Sequence, residues 1–168
     1  FLAAFGGGTL RDVLLDRRPF FWVANQWYVW ALLTLCAAAM LMLRARHFRV
    51  TERAMQWPDA LGLGLFAASG TQIALDAQMP GLIAVLMGVM TAAFGGVLRD
   101  IVCNEIPSAF RDHRPYAVCA FVGGWVVVAI DRMAQMPTLA LAVGGLLATV
   151  LRLLAIRLDW TLPRWRVE

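Results

Sequence analysis

The chain contains no lysine. All 15 of its basic residues are arginine, set against 11 acidic residues and two histidines, for a formal net charge of +4 at pH 7. Charge of either sign is scarce: charged residues make up 15% and hydrophobic residues 61%, where soluble domains carry about 25% and about 45–50%. With a mean hydropathy of +0.68, a soluble domain of 168 residues could not hide its apolar side chains. The composition therefore points to a membrane protein, in which lipid solvates the excess. Cysteine is nearly absent. Cys36, Cys103 and Cys119 form no Cys-x-x-Cys pair, so no disulfide or metal framework is expected and the three read as buried free thiols. The histidines, His47 and His113, stand beside arginines in loops with no ligand at metal spacing. No Gly-x-Ser-x-Gly and no phosphate loop occurs, so catalytic residues, metal sites and enzyme activity are not expected. The arginines gather at the ends of apolar runs rather than along a continuous basic face, which argues against a nucleic-acid partner.

What is present is a series of apolar runs, to be compared with the roughly 20 residues that cross a bilayer. Phe1–Leu10 reads as the second half of a span, followed by Trp22–Leu43, Ala60–Ala77, Gly81–Leu98, Tyr116–Ile130 and Thr138–Leu158. The chain starts at Phe1 inside an apolar stretch, without a signal-peptide pattern, so a first span is expected upstream. Trp22, Trp27, Tyr28, Trp57, Tyr116, Trp160 and Trp165 sit near run ends, as interfacial aromatics do. Arg152 and Arg157 interrupt the last run and are expected to snorkel toward the interface. The linker Arg44–Arg53 and the terminal Arg157, Arg164 and Arg166 are the basic loops. Three spans separate them, so both fall on one face, and the positive-inside rule places that face, with the C-terminus, in the cytoplasm.

Two stretches nearly repeat. At an offset of 88, Ala4, Gly7, Gly8, Leu10, Arg11, Asp12 and Pro19 match Ala92, Gly95, Gly96, Leu98, Arg99, Asp100 and Pro107, and Tyr28 matches Tyr116. Because three spans lie within that offset, the second copy enters the bilayer in the opposite sense, and the chain reads as an inverted repeat. The expected architecture is an all-α membrane domain over 1–168. It holds a partial first repeat in 1–50, a second, inverted repeat in 58–132, and an extra C-terminal helix in 138–160. With the first helix missing from this chain, the full fold is seven helices.

The polar and glycine residues inside these runs are the candidate site. Gly6, Gly7 and Gly8, and Gly95 and Gly96, either kink their helices so that freed backbone lines a path, or let helices pack closely. The stripe Ala84, Gly88, Ala92 and Gly96 has the spacing of a packing face. Arg11, Asp12, Arg99 and Asp100 either line or gate a pore mouth or anchor helix ends. Neighbours on a helix do not face each other, so each is expected to find a partner elsewhere. Thr9, Ser69, Thr71 and Thr91 either coordinate a partly dehydrated monovalent cation or bond a carbonyl of their own helix.

"GGGTLRD", "FGGVLRDIVCNEIP" and "DALGLGLFAASG" together resemble the bacterial members of the trimeric intracellular cation (TRIC) channel family. The resemblance implies a homotrimer in the bacterial inner membrane, each protomer holding its own hydrophilic pore around two glycine-kinked helices. It further implies conduction of monovalent cations, potassium among them, with room for a bound lipid and no other cofactor. The alternative is a secondary transporter of a small zwitterion such as glycine, since some bacterial members of the broad family are regarded as such.

Overall fold

The computed structural model describes residues 1–45, 52–107, 109 and 115–161. His47, His113, Arg164, Arg166 and most of the arginine linker lie outside the described residues. The chain is all-α, in the order α1 (Leu2–Leu14), α2 (Phe21–Ala24), α3 (Trp27–Ala45), α4 (Glu52–Asp76), α5 (Gly81–Val102), α6 (Tyr116–Ala134) and α7 (Pro137–Arg157). Of these, α5, α6 and α7 are long and apolar enough to cross a membrane.

Two spans differ from their expected form. The run Trp22–Leu43 is split: Asn25 leaves helical geometry after the single turn of α2, and α3 starts afresh at Trp27. Asparagine competes for backbone hydrogen bonds and weakens helix interiors. The start of α2 is also held to α1, because the Phe21 N–H donates to Asp12 Oδ2 at 3.3 Å. In the other case, α4 begins well before Ala60 and carries Pro58 within it.

Four helices make the centre. α4 packs against α5, α6 and α7; α6 packs on both α5 and α7; and α1 lies along α5. Lipid supplies no hydrophobic drive between helices, so their adhesion depends on close van der Waals approach, which small residues permit. That is where the glycines fall. A methyl group at Gly88 would strike the Ala67 carbonyl of α4, and one at Gly64 the Gly145 carbonyl of α7. A Cβ at Gly123 would lie 2.8 Å from the Gly144 carbonyl, and one at Gly144 equally 2.8 Å from the Gly123 carbonyl. The small residues Ala140, Gly144 and Ala148 of α7 thus serve contacts inside the chain. Leu63, Ala67, Ala92, Cys119 and Ala120 form one buried cluster, and Ala68, Val127 and Ala140 another. Of the cysteines, Cys119 is buried as expected, while Cys36 on α3 and Cys103 just past the end of α5 are exposed. Both lie on surfaces that no other described helix covers.

The inverted repeat is visible atom by atom. A Cβ on Gly7 of α1 would collide with the Thr91 carbonyl of α5, and one on Gly95 of α5 would come within 2.7 Å of the Ala3 carbonyl of α1. The offset of 88 carries Gly7 to Gly95 and Ala3 to Thr91. The two contacts are therefore the same contact, exchanged by a pseudo-twofold axis through an antiparallel crossing. The helix ends agree as well. Leu15, Asp16 and Arg17 donate to the carbonyls of Arg11, Val13 and Asp12, and Cys103, Asn104 and Glu105 repeat this with Arg99, Ile101 and Asp100. Asp16 and Asn104 take positive φ, 48° and 57°, a conformation Asp and Asn tolerate better than most.

Replacing Gly7 with alanine forces the α1–α5 crossing apart and is expected to cost about 1–3 kcal/mol. Gly96 has nothing within 4 Å of an added Cβ, so Gly96→Ala is expected to be neutral or stabilising by up to about 1 kcal/mol through helix propensity. Thermal unfolding of the two variants in detergent measures the difference.

Candidate functional site

Beside the α1–α5 crossing lies a cavity of about 460 Å³, walled by α1, α4 and α5 and flanked by Phe21, Tyr28 and Tyr116. Its wall on α4 runs from Asp59 to Ile73 through Gly62, Phe66 and Ser69. At about 1.5 Å per residue this is about 21 Å, roughly two-thirds of the hydrocarbon core of a bilayer, which is about 30 Å. The crossing makes the cavity possible. Gly7 and Gly95 bring the two backbones together, and Gly7, Gly8 and Gly96 present bare backbone to the space beside the contact. Both helices continue unbroken through their glycines.

The cavity gathers Gly7, Gly8, Gly96, Arg11, Ser69, Thr91 and Arg99 among the expected site residues. The others stand behind its wall. Gly6 packs on Leu98, and Gly95 on the Ala3 carbonyl. Thr9 donates to the Phe5 carbonyl at 2.7 Å and accepts from Trp22 Nε1 at 3.1 Å. Thr71 is buried against Gly88 and Gly124 and donates to the Ala67 carbonyl at 2.8 Å. Thr91 likewise donates to the Met87 carbonyl at 2.7 Å. A hydroxyl whose hydrogen is so engaged offers only lone pairs to whatever else it meets. Thr91 is itself buried, its hydroxyl packed against Gly70 of α4, so it contributes to the cavity wall from within the α4–α5 contact.

The Arg-Asp pairs depart from expectation. Arg11 Nε and Nη2 donate to Oδ1 of Asp12, the next residue, at 2.9 and 2.7 Å. Arg99 Nε and Nη2 do the same to Asp100 Oδ1, at 2.8 and 2.7 Å. The two Cβ atoms diverge, but an arginine stem is long enough to curl round the helix and close the fork on the neighbouring carboxylate. Both halves of the first pair are buried, with side chains 6% and 3% exposed, whereas Arg99 is 48% exposed. The Arg11 guanidinium also lies 5.9 Å from the centre of the Phe21 ring. Each arginine facing the cavity thus brings its own counter-charge.

Two groups were not foreseen as site residues. Asp59 lines the cavity, on the α4 face that Ser69 shares at spacings of three and four; that spacing is the signal by which it could have been found. The Tyr116 hydroxyl donates to Asp59 Oδ1 at 3.4 Å. Arg152, expected to snorkel, is instead buried, 8% exposed. It falls on the face of α7, with Ala140, Gly144 and Ala148, that packs inward. Its guanidinium stacks 4.7 Å from the Tyr116 ring centre, and its Nε and Nη1 have no hydrogen-bond partner among the described residues. Arg157, at the helix end, reaches the Trp57 ring at 5.6 Å.

A family model described as glycine transporter matches residues 1–44 and 56–132. The chain belongs to this family. Among its relatives, the UPF0126 inner membrane protein YadS of Escherichia coli K12 is 35% identical over 169 aligned positions, covering 99% of this chain and 80% of the relative. Among solved structures, the TRIC trimeric intracellular cation channel orthologue from Rhodobacter sphaeroides superposes with a TM-score of 0.85 at 35% identity, covering 95% of this chain and 80% of that one. A second TRIC cation channel structure gives a TM-score of 0.84 at 32% identity, covering 99% and 81%. The glycine-transporter family and the TRIC channels thus share this fold, with its inverted repeat and extra final helix. The solved relatives are channels, not enzymes, and the chain is a multi-pass membrane protein like them.

In this member of the family the buried pair carries a clear stability expectation. Asp12→Asn leaves the Arg11 charge buried without its counter-ion and is expected to cost about 3–5 kcal/mol. Arg99→Gln removes a half-exposed guanidinium and leaves a side chain that can still donate to the buried Asp100, so it is expected to cost less than Asp12→Asn, about 1–2 kcal/mol. Unfolding temperatures of both variants in detergent give the comparison.

Proposed function

We propose that the protein is a cation channel whose path passes through the cavity beside the α1–α5 crossing. The observation that carries this reading is the cavity itself: a space about 21 Å long at 1.5 Å per residue, whose largely apolar wall is interrupted by glycine backbone, the hydroxyl residues Ser69, Thr91, Tyr28 and Tyr116, and the charged Arg11, Asp59 and Arg99. Bare backbone at membrane depth is tolerated where it faces protein or water, and a cavity of about 460 Å³ beside Gly7, Gly8 and Gly96 is large enough to hold water. The likeness to TRIC cation channels supports the same reading. Monovalent cations suit a wall of hydroxyl and carbonyl oxygens. Potassium is the expected physiological ion, and a soft wall of this kind discriminates weakly between potassium and sodium.

We further propose a homotrimer with one path per protomer, in the bacterial inner membrane and with its C-terminus in the cytoplasm. The arginine-rich linker supports that orientation, and the YadS relative is an inner membrane protein. The broad apolar surface of α3, where Trp30, Leu33, Leu35, Met40 and Leu41 are exposed, suits lipid, a bound lipid molecule or a neighbouring protomer.

A second reading is a carrier for a small zwitterion such as glycine. The description of the matching family favours it, and the cavity holds both carboxylate and guanidinium groups for the two ends of an amino acid. Purified protein in planar bilayers under a KCl gradient separates the two. A channel gives unitary current steps; a carrier gives saturable, concentrative glycine uptake in liposomes and no steps. Gly96→Leu places a side chain in open space on the wall and is expected to reduce unit conductance at least twofold while the protein remains folded. Unchanged conductance in that variant would move the path elsewhere.

A further inference from the structure

The charges around the cavity differ in how they are balanced. Arg11 and Arg99 are each closed onto the adjacent aspartate, so each pair presents a short dipole whose field falls off quickly. Asp59 has no such arginine against it; its hydrogen bond comes from the Tyr116 hydroxyl at 3.4 Å. The Arg152 guanidinium lies 4.7 Å from the centre of that ring, and whereas Asp59 and Tyr116 line the cavity, Arg152 does not. Among the described residues no carboxylate forms an ion pair with Arg152, and its buried Nε and Nη1 have no hydrogen-bond partner there. The order outward from the cavity is therefore carboxylate, phenol ring, guanidinium.

We propose that Asp59 and Arg152, separated by Tyr116, form the charge pair that decides which sign of ion enters this end of the cavity. The inference rests on the conducting reading and adds the determinant of its selectivity. With both present, the carboxylate is nearer the path and a cation is favoured. Without Asp59, Arg152 becomes an uncompensated positive charge one aromatic ring away from the path, in a medium where water screens it only in part. Without Arg152, the carboxylate acts alone. Tyr116 holds the two apart: a direct salt bridge would cancel both, whereas the ring keeps the negative end facing inward. Its π face also stabilises the guanidinium that lacks other partners among the described residues.

The experiment is reversal-potential measurement in planar bilayers under asymmetric KCl. It uses the wild type, Asp59→Asn, Arg152→Met and the double variant, each checked for folding by elution profile and thermal unfolding. Arg152→Met keeps an apolar stem on the inward face of α7 and removes only the charge; Asp59→Glu, which keeps both charges, supplies a second variant whose reading does not depend on the folding of Arg152→Met. The potassium-to-chloride permeability ratio is expected to fall about tenfold in Asp59→Asn, the scale of one unit charge acting at several ångströms. It is expected to rise in Arg152→Met and to return toward the wild-type value in the double variant. Asp59→Glu keeps the charge and is expected to keep the ratio. Currents that persist with the same ratio in Asp59→Asn and Arg152→Met, or an Asp59→Glu variant as altered as Asp59→Asn, would overturn the assignment while leaving the channel reading intact. A folded wild type that passes no unitary current removes the channel reading and this inference with it.

Discussion

The close antiparallel contact of α1 and α5 is the constraint on which the rest of the structure depends. Gly7 meets the Thr91 carbonyl and Gly95 meets the Ala3 carbonyl, so the two backbones touch with no side chain between them. In lipid, where apolar surface gains nothing by moving from one hydrocarbon to another, such contact is how helices hold together. It also fixes what lies beside it. Helices drawn together at one line leave the adjoining Gly96 facing open space and Gly8 under the Phe21 ring, and α4 completes the enclosure with Phe66, Ser69 and Asp59. Packing and cavity come from the same glycine-rich motif, used on two faces of one helix.

The electrostatics follow the same economy. A membrane interior tolerates charge only when it is paired or hydrated, and the repeated Arg-Asp dipeptide makes a self-contained pair in each copy. Its arginine can face the cavity without imposing a net positive barrier. Since α1 and α5 run in opposite directions, the two pairs stand toward opposite ends of the crossing. Asp59 then stands out as the cavity carboxylate that no adjacent arginine neutralises, held by a tyrosine from α6 with an arginine of α7 against its ring.

Much of this was legible in the amino-acid order. The offset of 88 predicted an inverted repeat, and the matched Gly7–Thr91 and Gly95–Ala3 contacts are its direct expression. The small-residue stripe of α5 was legible as packing, which Gly88 fulfils against Ala67; Gly96, in the same stripe, instead faces open space. What spacing could not reveal was which way individual side chains turn. Arg11 and Arg99 were assigned distant partners because adjacent helix positions diverge, but their length lets them fold back on their neighbours. Arg152 was read as a snorkelling residue because it lies near a helix end. Its place on the inward face of α7 outweighed that proximity, and the Tyr116 ring made burial tolerable. Asp59 and Tyr116 lie 57 positions apart, so their meeting is tertiary information.

The central claim is that water reaches the middle of the protein along the α1–α4–α5 cavity. The most direct measurement is thiol reactivity of single cysteines introduced at Ser69 and Thr71 in a background lacking the exposed Cys36 and Cys103. A small, membrane-impermeant reagent is applied separately to each side of oriented vesicles. Ser69 lines the cavity, while Thr71, two residues along the same helix, is buried against Gly88 and Gly124. The account predicts rapid modification at position 69 from both sides and none at position 71. Equal protection of both positions, from either side, would contradict it.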